Sequence, residues 1–306
     1  MISYRAHGKL LLSAEYLVLE GAMALAVPVK YSQLLRVYRL TQTSDMLISW
    51  VAKENRKSWF NALFEKDRLI VKETSDLLKA EKLRNLLLGA AELNNKFLRD
   101  NHSYSIITEI DFPLGWGLGT SSALIKNIAD WAEIDPFDLH FKTSRGSGYD
   151  IATAIYDSPV LYQYKPSGRS IKEVKFYPPF HNQLYFVHLG RKQDTALSIE
   201  HFRKNINISV KHIRKVNVLT EKMLNASTLE DFNRVLIEHE FLIAELLDTE
   251  PVKKLSYNDF KGEMKSLGAW GGDFALVTWE GHYNDLKKYF EERGLCTIIR
   301  FQEMVL

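Results

Sequence analysis

An α+β fold in two domains is what this sequence predicts. The first half reads as short strands, the second as helices that still keep strands, and no regular βαβ winding joins them. A length of 306 residues fits roughly two domains. We place the boundary near residue 170, giving domains at 1–170 and 171–306.

The elements follow in chain order. Residues 9–19 and 22–29 are apolar, and residues 35–39 alternate. Short strands of a meander are predicted at 46–51, 58–64 and 69–71. Residues 77–98 carry Leu83, Leu86, Leu87, Ala90 and Leu93 on one stripe, which predicts a helix. A strand at 104–110 runs into a glycine-rich turn, and the next helix places Ile125, Ile128, Ala129 and Ala132 on its inner face. A second turn, Arg145-Gly146-Ser147-Gly148-Tyr149-Asp150, leads into a small-residue helix at 151–156. Strands at 160–164 and 172–176 flank Pro166-Ser167-Gly168, and an apolar strand at 184–189 ends at Gly190. Helices are predicted at 196–205, 210–225, 229–247 and 252–267. The third is the clearest, with Leu229, Phe232, Leu236, His239 and Leu242 at helical spacing, and His239 reads as a core residue. A strand at 274–279, a helix at 283–293 and a strand at 297–301 close the chain.

Composition excludes several classes. Hydrophobic residues make up 46% of the chain and aromatics 12%, enough for a sizeable core, so disorder and low complexity are ruled out. Forty Lys+Arg against 38 Asp+Glu, interspersed, leave no electrostatic footprint for nucleic acid or an anionic membrane. A single cysteine, Cys296, excludes an intramolecular disulfide framework and a cysteine zinc cluster. No apolar run approaches the ~20 residues that cross a bilayer. Glu15 and Glu20 interrupt the first apolar stretch, unlike a signal peptide. A soluble, cytoplasmic protein is expected, with no nucleic-acid or membrane partner; oligomeric state is left open.

The most informative stretch is Gly115-x-Gly117-x-Gly119-Thr120-Ser121-Ser122-Ala123. Alternating glycines permit left-handed backbone and close approach of a ligand to main-chain N–H groups. The following helix aims its unsatisfied N–H groups at the same spot, which suits a phosphate. The same string is also compatible with a plain turn and a Ser/Thr helix cap. It is not a P-loop, since no G-x-x-x-x-G-K-[ST] occurs. Nor is it a Rossmann fingerprint, because its third glycine comes one residue early and no βαβ unit surrounds it. No V-A-I-K, H-R-D or D-F-G string marks a protein kinase.

Several separated segments, in order along nearly the whole chain, resemble the GHMP kinases, the superfamily of galactokinase, homoserine kinase, mevalonate kinase and phosphomevalonate kinase. Gly8-Lys9-Leu10-Leu11-Leu12-Ser13-Ala14-Glu15-Tyr16 is similar to that family's G-K-x-x-x-x-G-E-[HY] opening. Residues 113–123 are similar to P-x-x-x-G-L-G-S-S-A, and Gly268-Ala269-Trp270-Gly271-Gly272-Asp273 to G-A-G-G-G-D. Gly146-Ser147-Gly148-Tyr149-Asp150-Ile151-Ala152 resembles a stretch of the phosphomevalonate kinase branch, and its Gly-Tyr-Asp-Ile-Ala string is that of a small bacterial group of these kinases.

The resemblance implies a ribosomal protein S5 domain 2-like N-terminal domain, a ferredoxin-like C-terminal domain, and ATP-dependent phosphorylation of a small-molecule hydroxyl or phosphate, with Mg2+. It implies Asp150 as general base, with a helix N-cap as the alternative, and Lys9 as the neutraliser of charge at the reacting centre, with a strand-edge lysine as the alternative. Gly115, Gly117, Leu118, Gly119, Thr120, Ser121 and Ser122 would bind ATP, with Ser121 facing the metal and Ser122 the alternative register. Glu15 and Tyr16 either orient substrate or close a turn. Arg191 and Lys192 either hold an anionic substrate group or form a solvated turn, and Gly271 and Gly272 let a loop approach the substrate.

The sequence departs from the pattern in three places. No carboxylate lies in residues 139–144, where mevalonate kinases carry a glutamate that helps bind Mg2+. Trp270 replaces a glycine of the last motif, and Ala14 a glycine of the first. Two other functions stay open: a nucleotide-binding homologue without kinase activity, and a decarboxylase of the diphosphomevalonate type.

Overall fold

In the computed structural model of the chain, residues 1–40, 46–165, 168–190, 208–268 and 273–306 are described. The fold is α+β, and the chain gathers into two compact units. One comprises Met1–Gly8, Tyr31–Leu114 and Leu118–Ile155; the other comprises Lys9–Lys30, Gly115–Gly117 and Tyr156–Leu306. The division at residue 170 read from the sequence follows chain order, whereas these units interleave along the chain.

Strand β1 spans Ile2–Leu11, so Lys9 lies near its end and not at the start of a strand, as the apolar run from residue 9 implied. Strand β2, Ala24–Leu40, is one strand of 17 residues where the sequence reads separate segments. Pro28, which has no N–H to donate, falls between Ala24–Ala26 and Gln33–Leu40, stretches that pair with two different strands.

In the first unit β3 (Leu47–Glu54), β4 (Lys57–Glu65), β5 (Ile70–Thr74) and β6 (Ser103–Ile110) form a sheet with β2 in the order β5-β4-β3-β6-β2. The β3–β6 pair is parallel and the others are antiparallel. Burial at every second residue, Ile48, Trp50 and Ala52, then Phe60, Ala62 and Phe64, then Tyr104, Ile106 and Thr108, turns one sheet face into the core. Trp50 brings a polar edge into that core and donates it to Thr108 Oγ1 at 3.3 Å.

Four helices complete this unit. Helix α1 (Leu77–Leu93) begins at Asp76, whose carboxylate accepts the Lys79 N–H at 3.1 Å. It stops short of the predicted residue 98 because Asn94 turns extended, its Nδ2 donating to the Ala132 carbonyl at 2.7 Å. Helix α2 (Thr120–Ala132) follows the glycine loop. Helix α3 (Pro136–Thr143) is absent from the sequence reading, although its signals are present: Asp135 accepts the Phe137 N–H at 2.7 Å and proline opens the helix. Helix α4 (Tyr149–Ile155) starts two residues earlier than predicted.

In the second unit the beginning of β2 pairs with β7 (Val160–Lys165), which pairs with β8 (Gly168–Glu173). A four-stranded antiparallel sheet has the order β10-β11-β9-β12, from β9 (Leu184–His188), β10 (Met264–Ser266), β11 (Phe274–Thr278) and β12 (Ile298–Arg300). The helices are α5 (Val210–Asn225), α6 (Leu229–Leu246), α7 (Val252–Ser256), α8 (Tyr283–Glu291) and α9 (Phe301–Met304). Tyr185, Val187, Met264, Ala275, Val277, Leu286 and Phe290 join in one core that seats α8 on the small sheet.

The helix predicted at 252–267 is the clearest correction. Only Val252–Ser256 is helical, and β10 replaces the rest. Gly262 lies so close to Thr278 that an added Cβ would stand 1.8 Å from its carbonyl oxygen. The backbone beyond it pairs with β11, starting from Glu263, which accepts the Thr278 N–H at 2.9 Å. Tertiary pairing thus overrides a helical apolar spacing. The helix predicted at 196–205 lies outside the described residues. Among the described residues no helix is long and apolar enough to cross a membrane.

Candidate functional site

The glycine loop takes the backbone conformation its glycines permit. Leu114–Trp116 is a single 3-10 turn, Gly117 has φ +64° and Gly119 φ +86°. Both values lie in the left-handed region that side-chain-bearing residues avoid. Gly119 then caps α2, a helix of 13 residues, and its carbonyl accepts the Ala123 N–H at 3.1 Å. Ser122 is buried and its hydroxyl donates to the Gly119 carbonyl at 2.9 Å, whereas Ser121 is exposed. The two hydroxyls therefore differ: Ser122 closes the helix end, and Ser121 meets solvent at the positive end of α2. Leu118 is buried; Thr120 is half-buried.

In the same unit as α2, Asp150 lies in the first turn of α4 and is half-buried. Its Oδ1 accepts the N–H of the next residue, Ile151, at 3.1 Å. The N-cap reading does not hold, because the helix already includes Tyr149 and the Gly148 carbonyl receives the Ile151 and Ala152 N–H groups. Ala6, Ala123 and Ala154 form a small-residue cluster that lets α4 pack closely on α2. The resemblance-derived acid is thus carried on a helix that packs against the helix opening at the glycine loop.

Gly115–Gly117 belongs to the other unit, together with Lys9. Lys9 Nζ donates to the Gly117 carbonyl at 3.3 Å. His188, at the end of β9, has its Nε2 at 3.3 Å from the Gly115 carbonyl. Trp116 lies edge-on to Phe274, with ring centroids 5.6 Å apart, and 6.2 Å from the His188 ring. Asp273 approaches Gly117 so closely that a Cβ there would stand 1.9 Å from its Oδ2. Neither His188 nor Asp273 was singled out as a site residue in the sequence. The available signals were a polar residue ending the apolar run Leu184-Tyr185-Phe186-Val187, and the aspartate closing the last motif.

Glu15 and Tyr16, which either orient substrate or close a turn by the sequence reading, are buried. Ala14 and Tyr16 have φ +63° and +60°, so the turn carries two strained residues around Glu15. The Glu15 carboxylate pairs with Lys265 of β10, and both side chains are fully buried. His239 of α6 lies 3.5 Å from Glu15 and accepts the Ala14 N–H on Nε2 at 2.9 Å. That contact places the imidazole proton on Nδ1. Next to this trio, Glu240 accepts the Ser266 N–H at 3.0 Å and the Val252 N–H at 3.3 Å. Burial raises the Glu15 carboxyl above its ordinary value against the pull of Lys265, and holds His239 well below the usual imidazole range. Burial pushes Glu240 up to about 7. Glu15 thus anchors the turn from inside the protein.

Arg191, Lys192, Gly271 and Gly272 lie outside the described residues. Among the described residues no group of three His, Cys, Asp or Glu is placed to hold a metal ion. His140, in the segment where a carboxylate is missing, is buried with both ring nitrogens unpartnered among the described residues.

This architecture is the fold of the GHMP kinases. Streptococcus pneumoniae phosphomevalonate kinase, solved with phosphomevalonate and AMPPNP, superposes with a TM-score of 0.71 at 16% identity, covering 98% of this chain and 100% of that one. Methanococcus jannaschii mevalonate kinase gives 0.67 at 16% identity over 97% and 96%. Lactococcus lactis galactokinase, complexed with galactose, gives 0.66 at 10% identity over 95% and 90%. No family model and no curated protein sequence matches the chain. What is shared at these identities is the fold.

Proposed function

We propose that this chain is an ATP-dependent kinase that transfers a phosphoryl group to a hydroxyl or phosphate of a small molecule. One observation carries the reading: a loop with left-handed Gly117 and Gly119 that delivers the chain into the N-terminus of α2, with Ser121 exposed there. Backbone amides and a helix N-terminus supply fixed positive potential for a triphosphate, and phosphoryl transfer depends mostly on such positioning and charge neutralisation. Solved structures of the same fold, one of them containing AMPPNP, support the nucleotide assignment.

In this reading Asp150 accepts the proton of an acceptor hydroxyl as its oxygen attacks the γ-phosphorus, and ADP leaves; a phosphate acceptor attacks through an oxygen that is already ionised. Lys9 neutralises developing negative charge. Ser121, exposed at the start of α2, would help hold the Mg2+ that accompanies ATP, and the ion would neutralise charge on the phosphates. Arg191 and Lys192 would hold an anionic part of the acceptor. Gly271 and Gly272 would admit it at close range.

Direct measurement tests the proposal. The protein should bind the β,γ-imido analogue of ATP with Mg2+ in calorimetry, and consume ATP with at least one acceptor from a panel of polyols, hydroxy acids and their phosphates. Nucleotide binding without transfer to any acceptor would favour the binding-only reading. Absence of nucleotide binding would end both.

A further inference from the structure

Two carbonyls of the glycine loop are held by side chains of their own unit. Gly117 accepts from Lys9 at 3.3 Å, and Gly115 from His188 at 3.3 Å. A carbonyl oxygen only accepts, so His188 carries its proton on Nε2. In a planar trans peptide the N–H of the next residue points opposite to the carbonyl. Holding the Gly115 oxygen therefore turns the Trp116 N–H away from His188, and holding the Gly117 oxygen turns the Leu118 N–H away from Lys9.

His188 is built to do this. It pairs with Phe274 across the β9–β11 ladder, with their rings 5.1 Å apart. Neighbouring Val187 and Leu189 point into the core of the small sheet, so His188 projects from the opposite face. Trp116 rests against the same pair, edge-on to Phe274. The ring thus braces the loop through tilted and edge-on ring contacts and orients it by one hydrogen bond, on a strand and not on another loop.

We propose that His188 is a positioning residue for phosphate recognition. Its imidazole fixes the Gly115–Trp116 peptide plane so that the loop's amide dipole faces an anionic ligand. The inference rests on reading the loop as the nucleotide cradle. It assigns His188 no contact with the nucleotide and no part in chemistry.

Calorimetry on the full chain tests it with two probes, the β,γ-imido analogue of ATP with Mg2+ and adenosine, which lacks phosphates. His188→Phe keeps the ring and loses the donor; His188→Gln keeps a donor and loses the ring. His188→Phe should weaken the triphosphate probe about tenfold, as expected for one lost hydrogen bond, while adenosine binding and the melting temperature stay near wild type. His188→Gln should recover part of the loss. A merely structural role would weaken both probes together, and that result overturns the proposal, as does unchanged triphosphate binding in His188→Phe. If His188→Phe fails to fold, His188→Leu, which also lacks the donor, takes its place with the same supporting and overturning results. Wild-type protein that binds neither probe overturns the nucleotide reading itself, and the positioning role with it.

Discussion

Lys265 and Glu15 form an ion pair with both side chains wholly shielded from water, 250 residues apart in the chain. Lys265 also donates to the Ser266 carbonyl at 2.9 Å. The pair joins the turn that follows β1 to the strand that leads toward Gly268 and Asp273. Two motifs that the resemblance placed at the substrate are thereby tied together from inside the protein.

Breaking that pair leaves a buried charge uncompensated. Glu15→Gln or Lys265→Met alone should destabilise the protein by about 3–5 kcal/mol in urea unfolding, while Glu15→Leu combined with Lys265→Met should recover most of the loss. The recovery is expected because desolvating two charges offsets much of their attraction. Additive single effects in the double-mutant cycle would show that the two side chains do not interact.

Glu240 should make stability depend on pH. Its folded-state value of about 7 lies above the ordinary 4.5, so folding takes up a proton between the two. The stabilisation is fully present below pH 4.5 and is lost as pH rises through about 7. At 1.36 kcal/mol per pH unit the interval amounts to about 3 kcal/mol. His239 acts in the opposite sense: held neutral by burial, it supports the fold above its ordinary 6.5 and loses that support as pH falls. Glu15 and Lys265 face the same space. The Glu240 contribution is therefore read as the difference between wild type and Glu240→Gln, which should shrink by about 3 kcal/mol from pH 4.5 to 8. A difference that stays constant with pH rules it out.

Asp150→Asn keeps the size of the side chain and removes its basicity. Once an acceptor is found, turnover should fall by ~10²–10⁴ with nucleotide affinity within twofold of wild type. Near-normal turnover would remove Asp150 from the chemistry.

Gly117→Ala should cost nucleotide affinity through the loop. The new Cβ would meet the Asp273 carboxylate, and φ +64° is strained for alanine, a penalty of about 1–2 kcal/mol before any rearrangement. A loss of tenfold or more for the ATP analogue is expected, with partial recovery in Gly117→Ala combined with Asp273→Ala. Wild-type affinity in the single variant would show that the loop does not touch the ligand.

Periodicity and turn chemistry determined much of this protein without tertiary information. Alternation announced the end of β2, short apolar runs announced β3, β4 and β6, and helical stripes announced α1, α2 and α6. The glycines at 117 and 119 announced a loop entering a helix, because only glycine takes those backbone angles freely. The α+β class followed from the order of those signals, and the particular fold from the resemblance carried by the motifs.

What only the tertiary structure decided are the partnerships made across long stretches of chain. Met264–Ser266 has an apolar spacing compatible with a helix, and becomes a strand because Ala275–Val277 offers its hydrogen bonds. Glu15 could orient substrate or close a turn by its sequence, and only folding encloses it between Lys265 and His239. His188 was one residue of an apolar strand until the Gly115 carbonyl came within its reach. Local sequence encodes the conformational cost of each residue, but a buried charge or a held carbonyl depends on a partner that only folding brings near.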